Sequence, residues 1–154
     1  MKKIIPYVSK EEVRERVKNF LYSRGYPESE IQEDIAFEVK DSSVLIDLLV
    51  LKSNKILILC ESPSETITLA ARLSVLVSKL LNPAPRIAVA TNWTESEVTD
   101  ILNGRKWYRL EVPPKKEVES MENPKFEFGK EEREKIERLI INLYWMRCRR
   151  CETF

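Results

Sequence analysis

The sequence predicts an α/β domain built on a mixed central sheet. Three observations carry that expectation. Two helical stretches bracket three short β-branched runs, a further apolar run follows the second helix, and turn-forming residues separate the pieces. The predicted order is helix, three strands, helix, strand, strand, followed by a C-terminal helix.

The stretch "SKEEVRERVKNFLYSRG" opens on a capping box, Ser9 with Glu12. It places Val13, Val17, Phe20 and Leu21 at helical spacing and stops at Gly25. "IAFEV", "VLIDLLV" and "KILILCE" have the length and composition of strands, and "KSN" joins the last two, so the three read as an antiparallel meander. "SPSETITLAARLSVLVSKLLN" then predicts a helix with Ser62 as N-cap, Pro63 at the first helical position and Glu65 completing a capping box, ended by Asn82 and Pro83. Apolar residues lie on nearly every face of it, which makes it the most buried helix expected. "RIAVATNW" reads as a strand, "TESEVTDILNG" as a short helix or turn capped by Thr94, and "KWYRLEV" as a final strand. Residues 1–112 form the main domain on this reading. Residues 113–129, with three prolines and many charges, form a linker or surface loop, and 130–154 a C-terminal helix and tail.

Composition bounds the function. With 154 residues the chain is one domain, able to bury roughly 68–70% of its unfolded surface. Lys and Arg total 26 against 25 Asp and Glu, with no histidine, so no global field steers the chain to nucleic acid or anionic lipid, and a DNA surface must be a local patch. No apolar run approaches the roughly 18 residues that span a bilayer. Three cysteines, an odd number, fit a reducing compartment, and a soluble cytoplasmic protein with no membrane partner is the expectation.

Asp47 interrupts the apolar run "VLIDLLV", where an unpartnered charge would cost several kcal/mol or shift its pKa. A hairpin closing around Ser53, Asn54 and Lys55 sets Asp47 opposite Glu61, at the roughly 4.5–5.5 Å spacing of cross-strand pairs. Two converging acids suit half of a divalent-metal site, since hard ions such as Mg²⁺ take carboxylate oxygens. The structural alternatives stay open: Asp47 pairing with a lysine or arginine, Glu61 facing the positive start of the helix at Ser62, or a register shifted by two residues that leaves the pair diagonal.

A set of motifs adds to this reading. Gly25, Tyr26 and Pro27 follow the first helix; Asp34 precedes the first strand; Asp47 lies in the second; Glu61, Ser62 and Pro63 follow the third; Ala71, Arg72 and Leu73 lie in the second helix; Thr91, Asn92 and Trp93 end the next strand. In order and spacing this resembles the N-terminal domain of type I restriction enzyme R subunits, a branch of the PD-(D/E)XK nuclease superfamily. The resemblance implies a restriction-endonuclease-like fold, with Asp47 and Glu61 binding Mg²⁺ for phosphodiester hydrolysis on DNA and Asp34 as the accompanying acid. It also implies a lysine where this chain has Pro63, and a proline offers no amine. Leu73, Trp93 and the apolar Val44, Leu45 and Ile46 depart from the pattern too. Lys52 and Lys55 lie at the far end of the hairpin. Arg72 is a candidate phosphate contact or a salt-bridge partner.

The expectation is therefore a stand-alone, degenerate nuclease-like domain that binds DNA with at most weak Mg²⁺-dependent cleavage. The alternatives are a non-enzymatic scaffold and an active nuclease with a relocated basic residue. "IERLIINLYWM" in the C-terminal helix suggests a protein partner or homodimer. Cys148 and Cys151 make a lone CxxC, read as a frayed terminus rather than a zinc site. Arg147, Arg149 and Arg150 read as a solubilising helix end or a nucleic-acid contact, and Trp93, Trp107, Tyr108 and Trp145 as packing residues.

Overall fold

The computed structural model describes the backbone of residues 9–152 and the side chains of 9–147; the CxxC cysteines and Arg149 and Arg150 therefore lie outside the described side chains. Helix α1 (Lys10–Ser23) begins where Ser9 Oγ accepts the Glu12 amide at 3.2 Å and buries Val13, Val17 and Leu21 along one stripe. Its end is fixed by Gly25 at φ +94° and by the Tyr26 amide donating to the Leu21 carbonyl at 3.1 Å.

Strands β1 (Ile31–Val39), β2 (Ser42–Val50) and β3 (Ile56–Cys60) form the expected antiparallel meander. Helix α2 (Thr68–Leu80) crosses over to β4 (Ile87–Thr91), which runs parallel to β3, and β5 (Ser96–Asp100) and β6 (Lys106–Trp107) add antiparallel on its far side. The result is a six-stranded mixed sheet in the order β1-β2-β3-β4-β5-β6. Helices α3 (Lys115–Ser120) and α4 (Lys130–Glu152) complete the α/β fold. Every residue of β3 and β4 is buried, as a parallel pair covered on both faces requires.

Two cores sandwich the sheet. On one face α1 packs Val13, Val17 and Leu21 on Leu48, Val50, Ile58 and Val89, joined by Val112 and Val118. On the other, α2 and α4 bring Leu73, Val77, Ile140 and Leu143 against Leu49, Leu57, Leu59 and Ala90. Residues 113–123 are pinned over the α1 face, whereas Phe128 packs against the α2 and α4 core. Tyr26 donates to the Pro113 carbonyl at 2.6 Å, Lys55 to the Met121 carbonyl at 2.5 Å, and Asn123 to the Ser53 and Ala84 carbonyls, both at 2.9 Å. No helix among the described residues is long and apolar enough to cross a membrane.

The structure corrects three local readings. Helix α2 starts at Thr68, not Ser62, so neither Ser62 as cap nor Pro63 as first helical residue holds. The Glu61 amide instead bonds the Thr91 carbonyl at 2.9 Å, carrying sheet pairing one residue past β3, and the chain then turns with Glu65 N–H on the Ser62 carbonyl at 3.0 Å. Ser62 Oγ is 3.0 Å from Ser64 Oγ rather than on a helix amide. "TESEVTDILNG", expected as a short helix or turn, supplies strand β5 and a turn at 101–103, because pairing to β4 and burial of Val98 outweigh its capping signals. Asp34 lies inside β1, not before it.

Candidate functional site: a carboxylate pair clasped by three cations

The β2–β3 register pairs Leu48 with Ile58, Leu49 with Leu57 and Val50 with Ile56. That is displaced by two residues from the register expected of the turn. Glu61 accordingly lies diagonal to Asp47, past the end of β3, and the two are not directly opposed. Beyond Leu48 the Asp47 carboxylate takes up a main-chain donor itself, accepting the Cys60 amide on Oδ2 at 2.9 Å. Asp47 is fully buried, Glu61 is 6% exposed, and both lie at the carboxyl end of β3.

The charges are met by cations from both helical layers. From α1, Arg14 Nη2 donates to Asp47 Oδ1 at 2.6 Å, and Lys10 Nζ stands 3.2 Å from the same oxygen. The other end of the Arg14 fork, Nη1, holds Asp34 Oδ1 at 2.9 Å. Asp34 adopts φ +53°, a left-handed conformation that aspartate tolerates better than most residues. From α4, Arg147 Nε donates to Glu61 Oε1 at 2.5 Å, and Nη2 donates to the Cys60 carbonyl at 2.8 Å and lies 3.6 Å from Asp47 Oδ2. Asp34, Asp47 and Glu61 are thus matched by Lys10, Arg14 and Arg147.

Burial by itself would raise the Asp47 pKa. The Lys10 charge, the Cys60 amide, the Arg147 charge and the Arg14 hydrogen bond together outweigh it and hold the carboxyl below the usual carboxylate range. The neighbouring Cys60 thiol moves the other way, pushed up to about 12 by its own burial and then by the Asp47 charge. It is a buried thiol held in its protonated form.

The donor set bears on the expected Mg²⁺. Asp47 Oδ1 already takes two cations, Oδ2 takes an amide, and Glu61 Oε1 takes a guanidinium. Among the described residues, no three of Cys, Asp and Glu converge as a metal-holding group. In this arrangement the residues fit a guanidinium rather than a resident metal ion.

Arg72 is not part of the cluster. It is exposed on α2 and lines two shallow grooves with Glu97 and Lys106, neither of which includes Asp47 or Glu61. A cavity of about 560 Å³ under the 113–121 strap is likewise remote from the pair.

Sequence reasoning missed Lys10 and Arg14, and it placed Arg147 on a solvated helix end, whereas Arg147 is 6% exposed. The signals were present. Lys10, Arg14 and Lys18 recur at four-residue spacing beside the buried stripe of α1, and Lys18 meets Glu33 at 3.1 Å. Arg147 continues the buried Ile140 and Leu143 stripe of α4. A cation on an apolar stripe needs a buried acid, and Asp47 and Glu61 are such acids.

Comparison with protein-family models, with characterised proteins and with solved structures returns no match to this chain.

Proposed function

We propose that the chain is a restriction-endonuclease-like domain that binds DNA without cutting it effectively. The observation that carries this reading is the Arg147 guanidinium seated between Glu61 and Asp47, where a divalent ion would be needed for hydrolysis. Pro63, standing in place of a lysine, removes the other half of the chemistry. Because Lys10, Arg14 and Arg147 balance the three acids, the cluster does not repel a phosphate as two bare carboxylates would. The same end of the sheet carries Trp93, 40% exposed just past β4, with the Arg16 guanidinium 6.0 Å from its ring centre. An exposed indole beside a cation at the carboxyl ends of parallel strands suits a nucleic-acid base and backbone.

The test is retention of duplex DNA in a gel at low and moderate salt, together with plasmid nicking in Mg²⁺ or Mn²⁺. Retention that weakens as salt rises, without nicking, is the expected pattern. Nicking abolished by Glu61→Ala would make the chain an active enzyme instead.

A second reading rests on α4, whose Leu139, Trp145 and Met146 are each at least 44% exposed. It makes the domain a non-enzymatic scaffold that assembles through this helix. A stable dimer in light scattering, dissociated by Met146→Glu and unaccompanied by DNA retention, would favour it.

A further inference from the structure

We propose that Arg147 is the built-in cation of the carboxylate pair, a guanidinium delivered by α4 to a position that would otherwise bind a divalent metal ion. Among the described residues, three oxygens converge on this side chain: Glu61 Oε1 at 2.5 Å, the Cys60 carbonyl at 2.8 Å and Asp47 Oδ2 at 3.6 Å. Two belong to carboxylates and one to the main chain, and all are hard oxygens of the kind Mg²⁺ and Mn²⁺ take. Arginine fits them as a planar fork of several donors carrying a fixed charge, which lysine cannot reproduce.

The delivery is part of the fold. Ile140 and Leu143 seat α4 on α2, and Arg147, one turn beyond Leu143, enters the cluster at the end of the same buried stripe. Docking of α4 and neutralisation of Glu61 are therefore one event. Removal of the guanidinium leaves three convergent oxygens, two of them charged, in a buried site that then gains by taking up a metal ion. The inference rests on the same carboxylate site as the functional reading but not on DNA binding. Its readout is metal affinity, so loss of DNA retention leaves it standing, and its failure leaves retention to be judged by itself.

The experiment is thermal unfolding of the full chain with and without millimolar Mn²⁺, for wild type, Arg147→Ala, Arg147→Gln and the Arg147→Ala/Glu61→Gln double variant. The expected result is a rise of several degrees with Mn²⁺ in Arg147→Ala, absent from wild type and from the double variant. If Arg147→Ala does not fold, Arg147→Gln, which keeps most of the packing stem, carries the same comparison. The proposal is overturned if no foldable Arg147 variant gains stability from Mn²⁺ beyond wild type, or if the gain survives Glu61→Gln. It is equally overturned if wild type itself shows a Glu61-dependent gain.

Discussion

Arg147 Nε lies 2.5 Å from Glu61 Oε1, joining the C-terminal helix to the end of the third strand across 86 residues of sequence. Both side chains are about 7% exposed, so neither charge is well served by solvent if the other is removed. Arg147→Ala should destabilise the domain by about 3–5 kcal/mol, the usual cost of stranding one partner of a buried pair. Urea unfolding measures this directly. A loss below about 1 kcal/mol would place the contact with the surface ion pairs, whose worth is in that range.

Asp47 makes stability depend on pH with a definite sign. Its folded pKa is lowered, so near the unfolded carboxylate value of about 3.9 the unfolded chain binds more protons than the folded one. The contribution is complete above that value and is lost as pH falls through the lower folded one. Asp47→Asn removes the buried charge that Arg14 and Lys10 face, so it should be markedly less stable than wild type near pH 7. The gap should narrow as pH falls toward about 3. Asp100, which Arg86 grips with Nε at 2.9 Å and Nη2 at 3.0 Å, is lowered too, so the variant keeps a shallower acid limb of its own. A gap that stays constant across this range would remove Asp47 from the acid-sensitive groups.

Cys60 offers a chemical check on the same site. A fully buried thiol with its pKa pushed up to about 12 holds almost no thiolate near pH 8. In the native chain it should resist iodoacetamide, as mapped by peptide mass, and should react once the protein is unfolded. Arg147→Ala loosens α4 beside the Cys60 carbonyl and should increase the labelling several-fold. Rapid native labelling in wild type would contradict the burial on which the site depends.

The 113–121 strap hangs on several polar anchors, among them the Lys115 amide on the Arg24 carbonyl and the Lys115–Glu30 ion pair, and the phenol of Tyr26 is one that can be removed alone. Its hydroxyl donates to the Pro113 carbonyl at 2.6 Å while the ring is buried against α1. Tyr26→Phe keeps the ring, so the expected loss is about 1 kcal/mol, read by urea unfolding, with protease cleavage rising within 113–121. Unchanged cleavage would show that the remaining polar anchors and the apolar contacts of Val112 and Val118 hold the strap without this bond.

What the sequence made legible follows from how local each signal is. The α1 cap, the Gly25 stop, the meander and β4 depend on neighbours within a few residues, and they stand as expected. The apolar interruption at Asp47 marked a buried acid without naming its partners. Those partners come from the first helix and the last, and no spacing rule joins Lys10, Arg14 and Arg147 to one point. The Ser62 cap failed for a related reason. Its amide and hydroxyl chemistry favours a helix start, yet Glu61 is pulled into pairing with Thr91, and Asn92 Nδ2 holds the Glu65 carbonyl at 2.8 Å, so the chain passes through a turn at 62–65 and the helix waits until Thr68. Long-range sheet pairing overrode a strong local signal.

That correction changes what restoring a lysine would do. Pro63 sits in the turn after Glu61, not in the first turn of a helix, so Pro63→Lys sacrifices no helix start. It should fold with a stability change within about 1 kcal/mol, since a half-exposed turn position is forgiving. Cleavage should still be absent. The new amine would join a site in which Glu61 and Asp47 are already engaged by Arg147, Arg14 and Lys10. Plasmid nicking in Mg²⁺ by purified Pro63→Lys measures this. Robust activity in that single variant would mean that the metal displaces Arg147 unaided. Activity confined to the Pro63→Lys/Arg147→Ala double variant would show that the guanidinium and the missing amine are separate blocks to hydrolysis.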